Sequence, residues 1–116
     1  MQNNEHIEQC LIIQWFRTQY PLLSNCFWAI PNGGIRHIRT AIKLKKEGVC
    51  PGVADLFLMV PKGEFHGLFL EMKAKKGKLQ ENQVKFLNLA RTMGYEAKVA
   101  YGYEEAKEII QNYLLN

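Results

Sequence analysis

The chain has 116 residues, about the length of one average domain, with 47% hydrophobic and 22% charged residues. That composition suits a globular domain, and no segment approaches the roughly 20 apolar residues of a membrane helix, which excludes a membrane span. Net charge is +4 with a pI near 9.0. The basic residues fall in two runs, Arg36 to Lys46 and Lys73 to Lys78, which favours a polyanionic partner.

The opening Met1-Gln2-Asn3-Asn4-Glu5-His6 lacks a basic stretch followed by an apolar run, so no secretory signal is expected and the protein is placed in the cytoplasm. Apolar residues Ile7, Cys10, Leu11, Ile13, Trp15 and Phe16 recur at helical spacing, predicting a helix over Glu5 to Gln19 that Pro21 ends. Asn25 to Ile30 predicts a short strand entering the loop Pro31-Asn32-Gly33-Gly34. Ile35, Ile38, Ile42 and Leu44 give a weaker helix stopping at Gly48. Val53 to Val60 predicts a nearly continuous apolar strand, and Pro61-Lys62-Gly63-Glu64 a turn into a second strand over Gly67 to Ala74. The strongest helix begins at Leu79-Gln80-Glu81-Asn82 and ends at Gly94. A last strand over Glu96 to Tyr101 and a helix over Tyr103 to Leu115 close the chain. The order α-β-α-β-β-α-β-α, with no repeat or linker, predicts one α/β domain with a mixed sheet of about four strands.

Cys10, Cys26 and Cys50 are odd in number and unpatterned, which predicts reduced, mostly buried thiols rather than a disulfide framework or zinc cluster. Trp15, Phe16, Phe27 and Trp28 read as core rather than base-stacking platforms, while Tyr101 and Tyr103 remain open between the two. No Ser-His-Asp or Cys-His constellation is discernible.

The chemistry concentrates in Gly52-Val53-Ala54-Asp55-Leu56 and Glu71-Met72-Lys73. Side chains alternate along a strand, so Phe69, Glu71 and Lys73 share one face of theirs, and Val53, Asp55, Phe57 and Met59 one face of the other. Carboxylates on adjacent strands then converge, as Mg²⁺ or Mn²⁺ requires, with a lysine two residues beyond to meet phosphate charge. A Glu-x-Lys triplet alone is also what an exposed strand edge shows, and an Asp55–Lys73 ion pair without catalysis is the alternative.

The succession Pro31-Asn32-Gly33-Gly34, Glu47-Gly48-Val49, Pro51-Gly52-Val53-Ala54-Asp55-Leu56, Glu71-Met72-Lys73-Ala74-Lys75-Lys76-Gly77-Lys78-Leu79 and Gln83 resembles the VRR-NUC domain, a branch of the PD-(D/E)XK nuclease superfamily. The resemblance implies a restriction-endonuclease-like core and a metal-dependent endonuclease acting on branched DNA, of which four-way junctions are the leading candidate. It makes Asp55, Glu71 and the carbonyl of Met72 the ligands of Mg²⁺ or Mn²⁺, Lys73 the catalytic lysine and Gln83 the helix glutamine facing the site. A helix-one glutamate is also implied, for which Glu5 is taken, with Glu8 as competitor. The usual Pro-Asp of the superfamily stands here as Ala54-Asp55. Stand-alone members of phage and bacterial type resemble homodimers, so a homodimer, phage or prophage encoded in a bacterial host, is the expectation. Asn32, Gly33, Arg36, His37, Arg39, Lys43, Lys75, Lys76 and Lys78 are the expected DNA contacts. A non-catalytic DNA-binding module of the same fold is the rival, as is a regulatory partner of another protein.

Overall fold

The computed structural model describes residues 3–31 and 38–116. Its elements are α1 (Asn3–Gln19), β1 (Phe27–Ala29), α2 (Ile38–Lys46), β2 (Leu56–Leu58), β3 (Leu68–Lys73), α3 (Glu81–Thr92), β4 (Glu96–Tyr101) and α4 (Tyr103–Leu114). The strands form one sheet in the order β1-β2-β3-β4, antiparallel across the first three and parallel between β3 and β4. This is the mixed four-stranded α/β arrangement that the sequence predicts. Among the described residues, no helix is long and apolar enough to cross a membrane.

Period-two alternation divides the sheet into two faces. Phe27, Leu56, Leu58, Leu68, Leu70 and Met72 point to the side covered by Ile12 and Phe16 of α1 and by Ala106, Ile110 and Tyr113 of α4. Each large apolar side chain buried there contributes roughly 1.5–3 kcal/mol relative to exposure, and Leu70→Ala at the sheet centre would cost about 2–5 kcal/mol. The opposite face carries Phe69, Ala97 and Val99 against Leu87 and Ala90 of α3. Helix α3 therefore lies over the same face that presents Glu71 and Lys73.

Several boundaries differ from the sequence expectation. A 3-10 turn occupies Pro21–Cys26, so the first strand is confined to Phe27–Ala29. Of the expected Val53 to Val60 strand only Leu56–Leu58 is extended, and Asp55 sits in the bend that precedes it rather than within the strand. The cause is upstream: Gly52 has φ +94°, and the turn it makes packs against the start of α3. Helix α3 begins at Glu81 rather than Leu79, because Gln80 is the N-cap.

Along α1 the buried residues are Ile12 and Phe16, whereas Ile7 and Leu11 are 51% and 41% exposed and Cys10 is exposed. The expected stripe holds at Phe16 and, partly buried, at Ile13 and Trp15, but Ile12 rather than Leu11 points inward and Ile7 and Cys10 do not. Its N-terminal turns are taken by Glu5 and Glu8, which bond backbone N–H groups and so leave no apolar signal. The cysteines are unpaired, as expected, but not mostly buried: Cys10 and Cys50 are exposed and Cys26 is intermediate.

Candidate active site

Asp55, Glu71, Lys73, Gln83 and Glu5 come from four separate segments, and the fold draws them to one end of the sheet. The β2–β3 register pairs Leu56 with Leu70, so the Asp55 bend lies beside the Glu71 position. Asp55 Oδ2 accepts the backbone N–H of Met72 at 2.8 Å. A side chain thus occupies a ladder donor where the strand partner has turned away, which fixes the carboxylate against β3.

Among the described residues, Glu71 is the buried charged one, 3% exposed. Its Oε2 accepts from Gln83 Nε2 at 3.1 Å. Gln83 is itself held by its other amide atom, since Oε1 accepts the Gln80 N–H at 2.8 Å in a reciprocal capping box. A capping interaction at the start of α3 therefore orients the amide that touches Glu71.

Burial pushes the Glu71 carboxyl up to about 8, with the Asp55 charge adding to the rise and Lys73 opposing it. Desolvation also raises Asp55, against the lowering effect of the Met72 N–H and of its hydrogen bond with Glu71. Within the pair, the mutual hydrogen bond lowers Asp55 and raises Glu71, so Glu71 is the carboxyl that more readily keeps its proton. Two carboxylates held this close in a half-buried setting cannot both ionise cheaply unless a cation joins them.

Glu5 Oε2 accepts the N–H of Ala74 at 3.3 Å, and its charge raises both carboxyls. Glu8 points elsewhere: Oε1 accepts the N–H of Tyr103 at the start of α4. Of the two helix-one candidates, Glu5 is the one beside the carboxylate pair. Among the described residues the ion pairs are Lys85–Glu81 and Lys107–Glu104, both on the surface, so no Asp55–Lys73 bridge forms.

A cleft of about 230 Å³ opens beside Asp55, lined by Gly52, Val53, Gln80, Asn82 and Gln83 among others. Larger grooves run along the outsides of α1 and α2, away from the carboxylates, so size is not what marks the site. The side chains that converge offer oxygen donors, and among the described residues no group of three or more His, Cys, Asp and Glu gathers to hold a metal. Two carboxylates and a backbone carbonyl, completed by water and phosphate, are the donors that Mg²⁺ and Mn²⁺ take. The residues fit that class of ion.

Lys43 on α2 and Lys75, Lys76 and Lys78 after β3 are exposed. Asn32, Gly33, Arg36 and His37 lie outside the described residues, as does the side chain of Arg39. Phe16 and Phe27 are buried and Trp15 is partly so, whereas Trp28 is 40% exposed and leans on Phe57. Sequence reasoning missed the Met72 N–H, the Glu8 bond and the Gln80 cap. Of these, Gln80-x-x-Gln83 had a usable signal, being the spacing of a capping box.

The VRR-NUC domain family matches residues 2–104. The chain belongs to the VRR-NUC domain family. A solved structure described as a VRR_NUC domain protein superposes with a TM-score of 0.87 at 25% identity, covering 99% of this chain and 91% of that one. No curated protein matches. As a VRR-NUC domain the chain is of a nuclease type, and the carboxylate pair lies within the matched residues.

Proposed function

We propose that this VRR-NUC domain is a Mg²⁺- or Mn²⁺-dependent endodeoxyribonuclease, acting as one domain, whose centre is Asp55, Glu71 and Lys73. The observation that carries the reading is the Asp55–Glu71 pair, held by the Met72 N–H and the Gln83 amide, with Glu71 pushed up to about 8. Such an arrangement costs stability unless a cation replaces the shared proton.

Asp55, Glu71 and the Met72 carbonyl would hold the ion, which when bound supplies Lewis acidity toward a phosphoryl oxygen and makes a water acidic enough to attack. Lys73 extends from the same strand face as Glu71, where its ammonium offsets negative charge developing on the scissile phosphate. Gln83 keeps Glu71 turned toward that face. Glu5 anchors the chain leaving β3 through Ala74. The exposed Lys75, Lys76 and Lys78 continue the strand outward as phosphate contacts, with Lys43, Arg36, Arg39, His37, Asn32 and Gly33 assigned the same part.

A preference for branched DNA, and a homodimer able to cut two strands symmetrically, rest on the likeness to stand-alone VRR-NUC proteins. Cytoplasmic location in a bacterial host is part of the same reading. Labelled junction, flap, duplex and single-stranded DNAs assayed with Mg²⁺, Mn²⁺ and chelator test the substrate. Asp55→Asn, Glu71→Gln and Lys73→Ala are expected to abolish cleavage while leaving DNA binding in place. Metal-dependent cleavage that survives all three substitutions would sink the assignment.

A further inference from the structure

Beside the carboxylates stands an exposed aromatic residue that the proposed hydrolysis leaves without a part. In the parallel register of β3 and β4, Glu71 lies opposite Val99 and Lys73 opposite Tyr101. Alternation puts Val99 on the α3 face with Glu71, and therefore Tyr101 on that face with Lys73, one strand spacing of about 4.8 Å away. Tyr101 is 39% exposed, and among the described residues no ring stacks on it. Tyr103, by contrast, packs into the core and lies under the Lys107 ammonium.

The backbone that carries Tyr101 is pinned on both sides. Glu105 Oε1 accepts the N–H of Tyr101 itself at 3.0 Å. Glu8, reaching across from α1, accepts the N–H of Tyr103. Between them Gly102 turns with φ +102°, and a Cβ there would come within 3.5 Å of Glu8 Oε1. Two carboxylates thus fix the three residues that present one solvent-facing ring. With the backbone held before a ligand arrives, only the two side-chain torsions of the ring remain to be ordered on binding, which limits the entropy lost in an aromatic contact.

We infer that Tyr101 is a stacking platform for an unpaired DNA base next to the phosphate that Lys73 faces. The ligand class follows from its neighbours: a flat apolar ring beside Lys73 and the exposed Lys75, Lys76 and Lys78 matches a base attached to a phosphate backbone. A base paired within a duplex offers its face only where stacking is broken, so the ring favours substrates with unpaired nucleotides at a branch. Stacking of this kind accepts any base, and selects structure rather than sequence. Glu8 is then a positioning residue for Tyr101.

The inference rests on the nuclease reading, and fluorescence separates the two. Flap and junction DNAs carrying 2-aminopurine at the branch point are titrated with protein in Ca²⁺. Wild type and Tyr101→Phe are expected to quench the probe, whereas Tyr101→Ala and Tyr101→Leu do not. In Mg²⁺ or Mn²⁺, the two non-aromatic variants should lose branched-DNA cleavage by roughly tenfold, through KM, while duplex cleavage is unchanged. Quenching by Tyr101→Leu equal to wild type, or a Phe variant as impaired as the Ala variant, overturns the platform. Wild type that quenches but cleaves no DNA with either metal would overturn the nuclease reading and leave the platform standing.

Discussion

Glu5 and Ala74 are far apart in the chain, yet the Glu5 carboxylate accepts the Ala74 N–H at 3.3 Å. The bond ties the first turns of α1 to the residue that follows β3, immediately after Lys73. Glu8, one turn along, makes the equivalent bond to Tyr103 after β4. One helix therefore secures the ends of both parallel strands, and each glutamate secures a different one.

The two glutamates should consequently fail in different ways. Glu5→Gln keeps an acceptor for Ala74 but removes a negative charge felt by Asp55 and Glu71, so both carboxyls titrate lower. Cleavage should fall about 10- to 100-fold, the usual effect of altering a partner just outside a metal site, with little change in melting temperature. Glu8→Ala leaves the Tyr103 N–H without its charged acceptor and should cost about 1.5–3 kcal/mol of stability. Thermal melts and cleavage assays on the two variants check the division; equal loss of stability in both would refute it.

Glu71 makes stability depend on pH. Its folded value, raised from 4.5 to about 8, means that between those limits the folded protein keeps a proton that the unfolded chain has released. Stability in chelator should therefore decline as pH rises from about 4.5 to 8 and level off above. Glu71→Gln mimics the protonated form, so its melting temperature should lack that part of the slope and exceed wild type at pH 8. If the pair holds metal as proposed, Mn²⁺ should compete with the proton and raise the wild-type melting temperature more at pH 8 than at pH 6. Parallel pH slopes in wild type and Glu71→Gln would show that the buried carboxyl is not the cause.

Gln83 joins two roles that substitution can separate. Gln83→Ala loses both the bond to Glu71 and the acceptor for the Gln80 N–H, so about 1 kcal/mol of helix capping should go with the activity. Gln83→Glu retains the acceptor at Gln80 but sets a second carboxylate against Glu71, pushing its titration higher still. The Glu variant should then cleave with a pH profile displaced to higher pH, at near wild-type stability. An unshifted profile would show that the amide does not act on Glu71.

Much of this was legible because period-two alternation is strong where strands are long. Leu68 to Lys73 and Glu96 to Tyr101 read clearly, and the first places Glu71 and Lys73 on one face without any fold knowledge. Val53 to Val60 misled for a physical reason: its apolar residues are buried by turn packing as well as by the sheet, and hydropathy does not distinguish the two. Ile12 was hidden inside Leu11-Ile12-Ile13, a run with no phase of its own. Glu5 and Glu8 came to notice only through the family resemblance, because their partners are backbone N–H groups, which every residue but proline has, and which leave no pattern to choose between them. Asp55 was found by its apolar surroundings, whereas the Met72 N–H that holds it carries no side-chain signature.

Gly52 provides the last test, since its turn is what brings Asp55 to the start of α3. It has φ +94°, and a Cβ there would come within 2.4 Å of the Asn82 carbonyl oxygen, a backbone atom that can retreat only by moving the helix. Gly48 has nearly the same conformation, φ +100°, with nothing within 4 Å of the added carbon. Gly48→Ala thus isolates the conformational penalty, about 1–2 kcal/mol for a left-handed residue. Gly52→Ala should add roughly 1–3 kcal/mol of overpacking to that and shift Asn82 and Gln83 together, since both belong to the first turn of α3. The Gln83 amide would then lose its alignment with Glu71, so Gly52→Ala should reduce cleavage beyond its effect on folding, measured well below its melting temperature, while Gly48→Ala should not. Equal destabilisation by the two alanines, in urea unfolding, would mean that the turn has room the geometry denies it.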